Sequence, residues 1–247
     1  MSTTMLDRTV AELVLERPAR SRFFESFGID YCCGGKKTLQ EACDRKALPS
    51  EQVLELLAAL ATEPTQDQEP DAGAMTLANL IEHILEAHHQ YLRQELPRLG
   101  AMLQKVERVH GDRNERLATM LSVFEAFTLE LNQHMMKEEE ILFPAIARMD
   151  ATGAEVAACF GSVANPIARM EAEHDDAGNA LEQLRTLSDG YTPPDWACNT
   201  YRALLDGLHD LERNMHAHVH KENNILFPKA IRLEAKLKGE TEPGGTE

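Results

Sequence analysis

Two His/Glu pairs of identical spacing carry the chemistry in this chain. His134 is followed four residues later by Glu138, and His218 four residues later by Glu222. Both pairs run into the same Ile-Leu-Phe-Pro ending (141–144 and 225–228), and the two blocks are 84 residues apart. Residues at i and i+4 lie one turn apart on one helix face, so each pair projects an imidazole and a carboxylate together. One such pair arises readily by chance. Two in matching context imply a duplicated unit that sets the pairs against each other, which is how a helical bundle builds a two-metal site.

The duplication also selects one histidine upstream of each pair. His89 precedes His134 by 45 residues and His174 precedes His218 by 44, the same level if each stretch is a helical hairpin. The candidate ligands are then His89, His134, Glu138, His174, His218 and Glu222. Imidazoles with carboxylates suit a pair of iron ions, while ligand type alone leaves manganese and zinc open. Taken singly, each could be an ordinary core or surface side chain; agreement at six positions argues against that. His216 and His220 lie two residues from His218 and point about 200° away around a helix. They are expected at the surface or behind the ligands, as are His83 and His88. Glu130, one turn before His134, and Glu173, beside His174, are candidates for a polar path to the metals. A carboxylate near a ligand histidine can orient its ring or relay protons. Each also reads as a plain solvated helix charge.

The elements that must position these residues are helical. Ala, Leu, Glu, Gln and Met abound, and aromatic residues make up 5% of the chain, a composition that argues for an all-α fold. Long helical patterns cover roughly 77–109, 115–149, 163–187 and 196–236, with breaks near His110-Gly111-Asp112, Asp150–Gly153 and Ser188–Pro194. Two hairpins of similar length predict a four-helix bundle over 75–236. Residues 1–62 form a small helical domain with a glycine turn at Tyr31–Lys37. Residues 63–74, polar with two prolines, read as a linker, and 237–247 as a disordered tail. The net charge of −16 disfavours nucleic acid and anionic lipid as partners. No apolar run approaches the 18 or so residues of a membrane span, and the N-terminus lacks the features of a signal peptide. The expected location is the cytoplasm.

These features resemble the haemerythrin-like bundle. To about residue 232, the chain is similar to the iron–sulfur cluster repair di-iron family. The similarity rests on Asp30-Tyr31-Cys32-Cys33-Gly34-Gly35-Lys36, His134-Met135-Met136-Lys137-Glu138-Glu139, Met170-Glu171-Ala172-Glu173-His174-Asp175 and Glu222-Asn223-Asn224-Ile225-Leu226-Phe227-Pro228. The resemblance implies a non-haem di-iron centre on the six candidate ligands, with Glu138, Glu222 and an oxo or hydroxo group bridging the irons. It implies repair of iron–sulfur clusters damaged by nitric oxide or peroxide, through iron donation, nitric oxide reduction or both. Damaged or apo iron–sulfur proteins would be the partners and nitric oxide a ligand, and a homodimer is compatible with the sequence. Reductive turnover would need an external electron donor, because no Gly-rich strand–turn–helix motif for flavin or nicotinamide occurs. The competing readings are an oxygen or nitric oxide sensor or iron store without turnover, and an oxidase or peroxidase.

Oxygen-carrying haemerythrins have a second histidine four residues after the first on their third helix. Here that position is Gly178. Glycine costs about 1 kcal/mol inside a helix relative to alanine. The reading is that the small residue opens a coordination position and leaves the iron reactive or labile; the alternative is a packing glycine.

Cys32-Cys33 is the second candidate site. Adjacent Cα atoms lie about 3.8 Å apart, closer than the roughly 4.4–6.8 Å of ordinary disulfides. The pair therefore reads as reactive thiols that exchange with a partner or transiently bind iron or nitric oxide. Lys36 and Lys37 are expected to favour the thiolate, and the alternative is packing. Cys43, Cys159 and Cys198 are expected to be structural. Five cysteines with two adjacent do not form a disulfide framework.

Overall fold

The computed structural model describes residues 4–60, 72–154 and 160–239. Residues 63–71 of the expected linker, 240–247 of the expected tail, and Cys159 lie outside them. Among the described residues every regular element is a helix, so the fold is all-α; the one extended pairing is an isolated bridge between Thr9 and Thr38. The chain forms two compact units, Met1–Thr76 with His216–Pro228, and Leu77–Met215 with Lys229–Glu247.

The first unit contains four short helices, α1 (Val10–Glu16), α2 (Arg20–Ser26), α3 (Leu39–Arg45) and α4 (Ser50–Leu60). Capping boxes start α1 and α3. Thr9 accepts from the Glu12 amide and Thr38 from the Glu41 amide, while each glutamate accepts back from its threonine's amide. These motifs satisfy donors that a helix start leaves open. The Val10 and Ala11 amides donate to the Lys37 and Gly35 carbonyls, and Leu39 donates to Arg8, strapping the glycine turn across the start of α1. Val10, Leu13, Phe24, Tyr31, Leu39, Cys43 and Leu57 form the core beneath. Cys43 is a packing residue.

The second unit is built from four long helices. The first joins Leu77–Ile84 to Gln90–His110, and the second joins Arg116–Lys137 to Phe143–Thr152. The third is Ala164–Leu187. The fourth, 199–237, contributes residues up to Met215 and from Lys229 onward. Apolar residues recur every three or four positions along the inner faces, as in Leu92, Leu96, Leu99, Leu103 and Val106, the stripe a bundle buries. The first helix packs on the second, and the second on the third. Gly207 lets the fourth helix approach the first closely, since a Cβ there would lie 2.6 Å from Leu99 Cδ2. Asn114 donates to the Tyr201 hydroxyl, and Arg185 pairs with the buried Glu212.

Three of the long helices' turns are wider than α-helical. Leu85–His89, Glu138–Leu142 and Glu222–Leu226 each form one π-helical turn inside an otherwise continuous helix. A candidate ligand sits at the edge of each. One extra residue re-aims the side chains beyond it by about 100°.

Candidate metal centre

Within the second unit, His89, His134, Glu138 and His174 are all buried. Glu138 Oε2 lies 3.5 Å from His89 Nε2, and its Oε1 lies 3.3 Å from His134 Nε2. His174 Nε2 lies 3.0 Å from His134 Nε2. The outer nitrogens have other partners. His89 Nδ1 is 2.7 Å from Glu139 Oε1, and His134 Nδ1 is 2.9 Å from Glu173 Oε2. A carboxylate only accepts, so both Nδ1 atoms carry the proton, and in the neutral ring Nε2 then bears a lone pair. Those lone pairs face a carboxylate that accepts no hydrogen bond at either oxygen. A buried anion ringed by lone pairs is costly, and a cation among them removes the cost. The donor atoms of His134, Glu138 and His174 lie within 4.8 Å of one another, as do those of His89 and Glu138. This donor set fits a metal ion.

In the first unit, His218 and Glu222 are buried on one helical face with Nε2 and Oε1 2.9 Å apart. His220, two residues on, is buried with Nδ1 3.3 Å from the Tyr31 carbonyl oxygen. Burial lowers its pKa to about 4, against the opposing pull of that carbonyl, and leaves the ring neutral. Asn224 donates to the Cys32 and Tyr31 carbonyls at 3.2 and 3.4 Å.

The cysteine turn of the same unit is organised by Asp30. Its Oδ1 accepts from the Cys32 and Cys33 amides, both at 3.0 Å, and Oδ2 accepts from the Gly34 amide at 2.8 Å. The Cys32 thiol donates to Oδ1 at 3.2 Å. Gly35 is required here, since a Cβ would lie 2.4 Å from the Tyr31 carbonyl oxygen. Neither cysteine is in a disulfide; Cys32 is buried and Cys33 partly exposed, with sulfurs 3.9 Å apart. The Cys33 sulfur, then burial, then the Asp30 carboxylate all push the Cys32 thiol up. The expectation that Lys36 and Lys37 favour the thiolate is therefore overturned at Cys32. An acid and a second sulfur are its effective neighbours.

Residues 80–230 match the family described as "Hemerythrin HHE cation binding domain", and 6–61 match a "Domain of Unknown function (DUF542)". The chain belongs to the haemerythrin HHE family. Its relatives include the iron–sulfur cluster repair protein YtfE of Pectobacterium atrosepticum, 40% identical over 92% of this chain and 98% of that protein. The YtfE proteins of Dickeya chrysanthemi and Yersinia pseudotuberculosis are 40% and 39% identical, with the same coverage.

This HHE protein also holds residues that spacing alone did not resolve. Glu173 is adjacent to His174 in sequence but reaches His134 on the neighbouring helix. Burial opposes its charge, yet Lys137, His134 and Arg169 lower its pKa to about 2. Glu130, proposed from the sequence for the same role, is exposed. Glu139 had not been singled out. Burial opposes its charge too, and Arg93 and His89 hold it below the usual carboxylate range. Its one sequence signal is adjacency to Glu138. His88 lies behind the ligands, buried, with Nδ1 3.1 Å from Asn214 Oδ1. Cys198 is exposed, 3.2 Å from His110 Nε2, and so has a partner that the sequence did not reveal. Among the described residues no helix is long and apolar enough to cross a membrane.

Proposed function

We propose that this protein repairs iron–sulfur clusters damaged by nitrosative or oxidative stress, acting in the cytoplasm through two iron ions. His89, His134, Glu138, His174, His218 and Glu222 are the residues that would hold the metal. The relatives' name supports the repair role. One observation carries the metal assignment: the His89 and His134 Nε2 atoms face a Glu138 carboxylate that accepts no hydrogen bond.

Ferrous ions held there would supply electrons and open coordination positions for reducing nitric oxide, or would themselves be the cargo passed to an apo protein. Glu139 and Glu173 accept from the Nδ1–H groups and so fix the orientation of both rings, with Nε2 turned toward Glu138. Arg93 on Glu139, and Lys137 and Arg169 on Glu173, keep those carboxylates charged. Glu138 and Glu222 contribute negative charge that favours a doubly or triply charged ion. Cys33, the more accessible thiol, is the proposed contact for an iron–sulfur client. Repeated nitric oxide reduction draws electrons and protons from an external donor.

The test is anaerobic purification, a metal count, and addition of nitric oxide to the reduced protein while nitrous oxide is measured. Multiple turnovers with iron retained establish a reductase. Iron passing to an apo iron–sulfur protein without turnover establishes a donor. Iron retention with neither outcome establishes a sensor or store and rejects the repair reading.

A further inference from the structure

The two copies of the metal motif differ where the second one meets the cysteine turn. With the blocks aligned 84 residues apart, His134 and Glu138 match His218 and Glu222, but Met136 is replaced by His220 and Glu140 by Asn224. Met136 and Glu140 are exposed. His220 is buried and Asn224 half-buried, and both lie against the backbone of Tyr31 and Cys32. The Asn224 side chain also lies 3.1 Å from His220 Nδ1. The Tyr31 ring packs edge-on against His216 and His220, at 6.1 and 5.4 Å.

The replacements have a chemical direction. The cysteine turn presents carbonyl oxygens to the helix, and its Asp30 carboxylate is one residue from Tyr31. A glutamate at 224 would set a charged acceptor against two carbonyl acceptors, whereas an amide supplies donors. A methionine at 220 would fill space but offer no N–H. The second copy thus retains the ligand spacing while its outer face becomes a donor surface fitted to this turn.

We infer that His220 and Asn224 are positioning residues that seat the Cys32–Cys33 turn on the helical segment carrying His218 and Glu222, so that the thiols are presented from that segment to an iron–sulfur client. This inference rests on the repair reading above. Neither residue contacts the cargo; each acts through the Tyr31 and Cys32 carbonyls.

The test restores the first copy's residues, as His220→Met and Asn224→Glu, singly and together, in the full-length iron-loaded protein. Asn224→Gln, which keeps the amide donor, is the conservative control. Three quantities are read: bound iron, the rate of Cys33 alkylation by iodoacetamide, and iron transfer to an apo ferredoxin. The expected result is unchanged bound iron, with alkylation about tenfold faster and transfer about tenfold slower in the double variant, the weight of one or two ordinary hydrogen bonds. Asn224→Gln recovers most of both. Hydrogen exchange at residues 30–34 separates seating from unfolding, because only those amides should lose protection. Unchanged alkylation and exchange overturn the seating. Faster alkylation with unchanged transfer overturns the role in presentation. An unaltered protein that transfers no iron refutes iron donation and overturns the role in presentation, and the alkylation and exchange results still decide whether the turn is seated.

Discussion

Glu173, on the third helix of the bundle, accepts the Nδ1 proton of His134, on the second, at 2.9 Å. This contact fixes which nitrogen of His134 is turned toward Glu138 and His174. Partners of this kind are worth about 10–100-fold in metal affinity. Glu173→Gln should lower iron affinity within that range in a chelator competition. Glu130→Gln, at an exposed position, should leave it unchanged. Equal losses in the two variants would remove the distinction between them.

Glu138 should destabilise the metal-free protein and stabilise the loaded one. Its carboxylate is buried without a hydrogen bond, so Glu138→Gln should leave the apo protein as stable as the parent or more so, while abolishing tight iron binding. Saturating iron at 100 times its dissociation constant adds about 2.7 kcal/mol, and a chelator should remove that increment. Calorimetry of apo and loaded forms checks both statements; a less stable apo Glu138→Gln would contradict them.

Cys33 should react before Cys32. Burial and two electron-rich neighbours hold Cys32 as a thiol, and the thiolate is the reactive form. Iodoacetamide should label Cys33 in the native protein and Cys32 only after denaturation, as read by mass spectrometry. Cys33→Ser should abolish iron transfer, whereas retained transfer would remove Cys33 from the proposed chemistry.

The third helix of the bundle should be tied to pH through Glu234. Burial opposes its charge, but Ser162, the Val163 amide and Lys238 hold its pKa below the usual carboxylate value. A lowered folded-state pKa adds stability above the unfolded value, roughly 4.3, and that stability is lost as pH falls through the folded value. Glu234→Ala should cost about 1–2 kcal/mol near neutral pH. The difference should shrink below about pH 4. Urea unfolding across pH 3–7 gives the slope, and a cost independent of pH would assign it to packing.

Gly178→His would add a donor four residues after His174. On the proposed reading it should slow iron loss to a chelator and reduce nitric oxide turnover. Unchanged values for both would leave Gly178 as a packing residue.

The long helices and their breaks were legible because 3.6-residue periodicity and glycine or proline punctuation leave marks in any sequence. The i,i+4 spacing likewise placed His218 and Glu222 on one face. The orienting carboxylates were less visible. Glu139 sits in a run of three glutamates, where a buried acid and a solvated one read alike. Glu173 drew notice through His174, its neighbour in sequence, yet its contact is made across the bundle. For Cys32, the positive charge of Lys36 and Lys37 drew the reading, whereas the turn folds the closer Asp30 and Cys33 onto the thiol. The π turns left no trace, because one additional residue in a turn is too small a shift for a hydrophobic pattern to register.

Two of those wide turns begin at the matching residues Glu138 and Glu222, and the copies align from His134 to Pro144 without a gap. The extra residue is therefore shared by both copies, along with seven of the eleven residues that surround it. Deleting one residue from either turn would return that helix to ordinary winding and rotate everything after it, including Phe143 or Phe227, out of register. The wide turn is in this sense a common gauge that sets the angular register of each repeat.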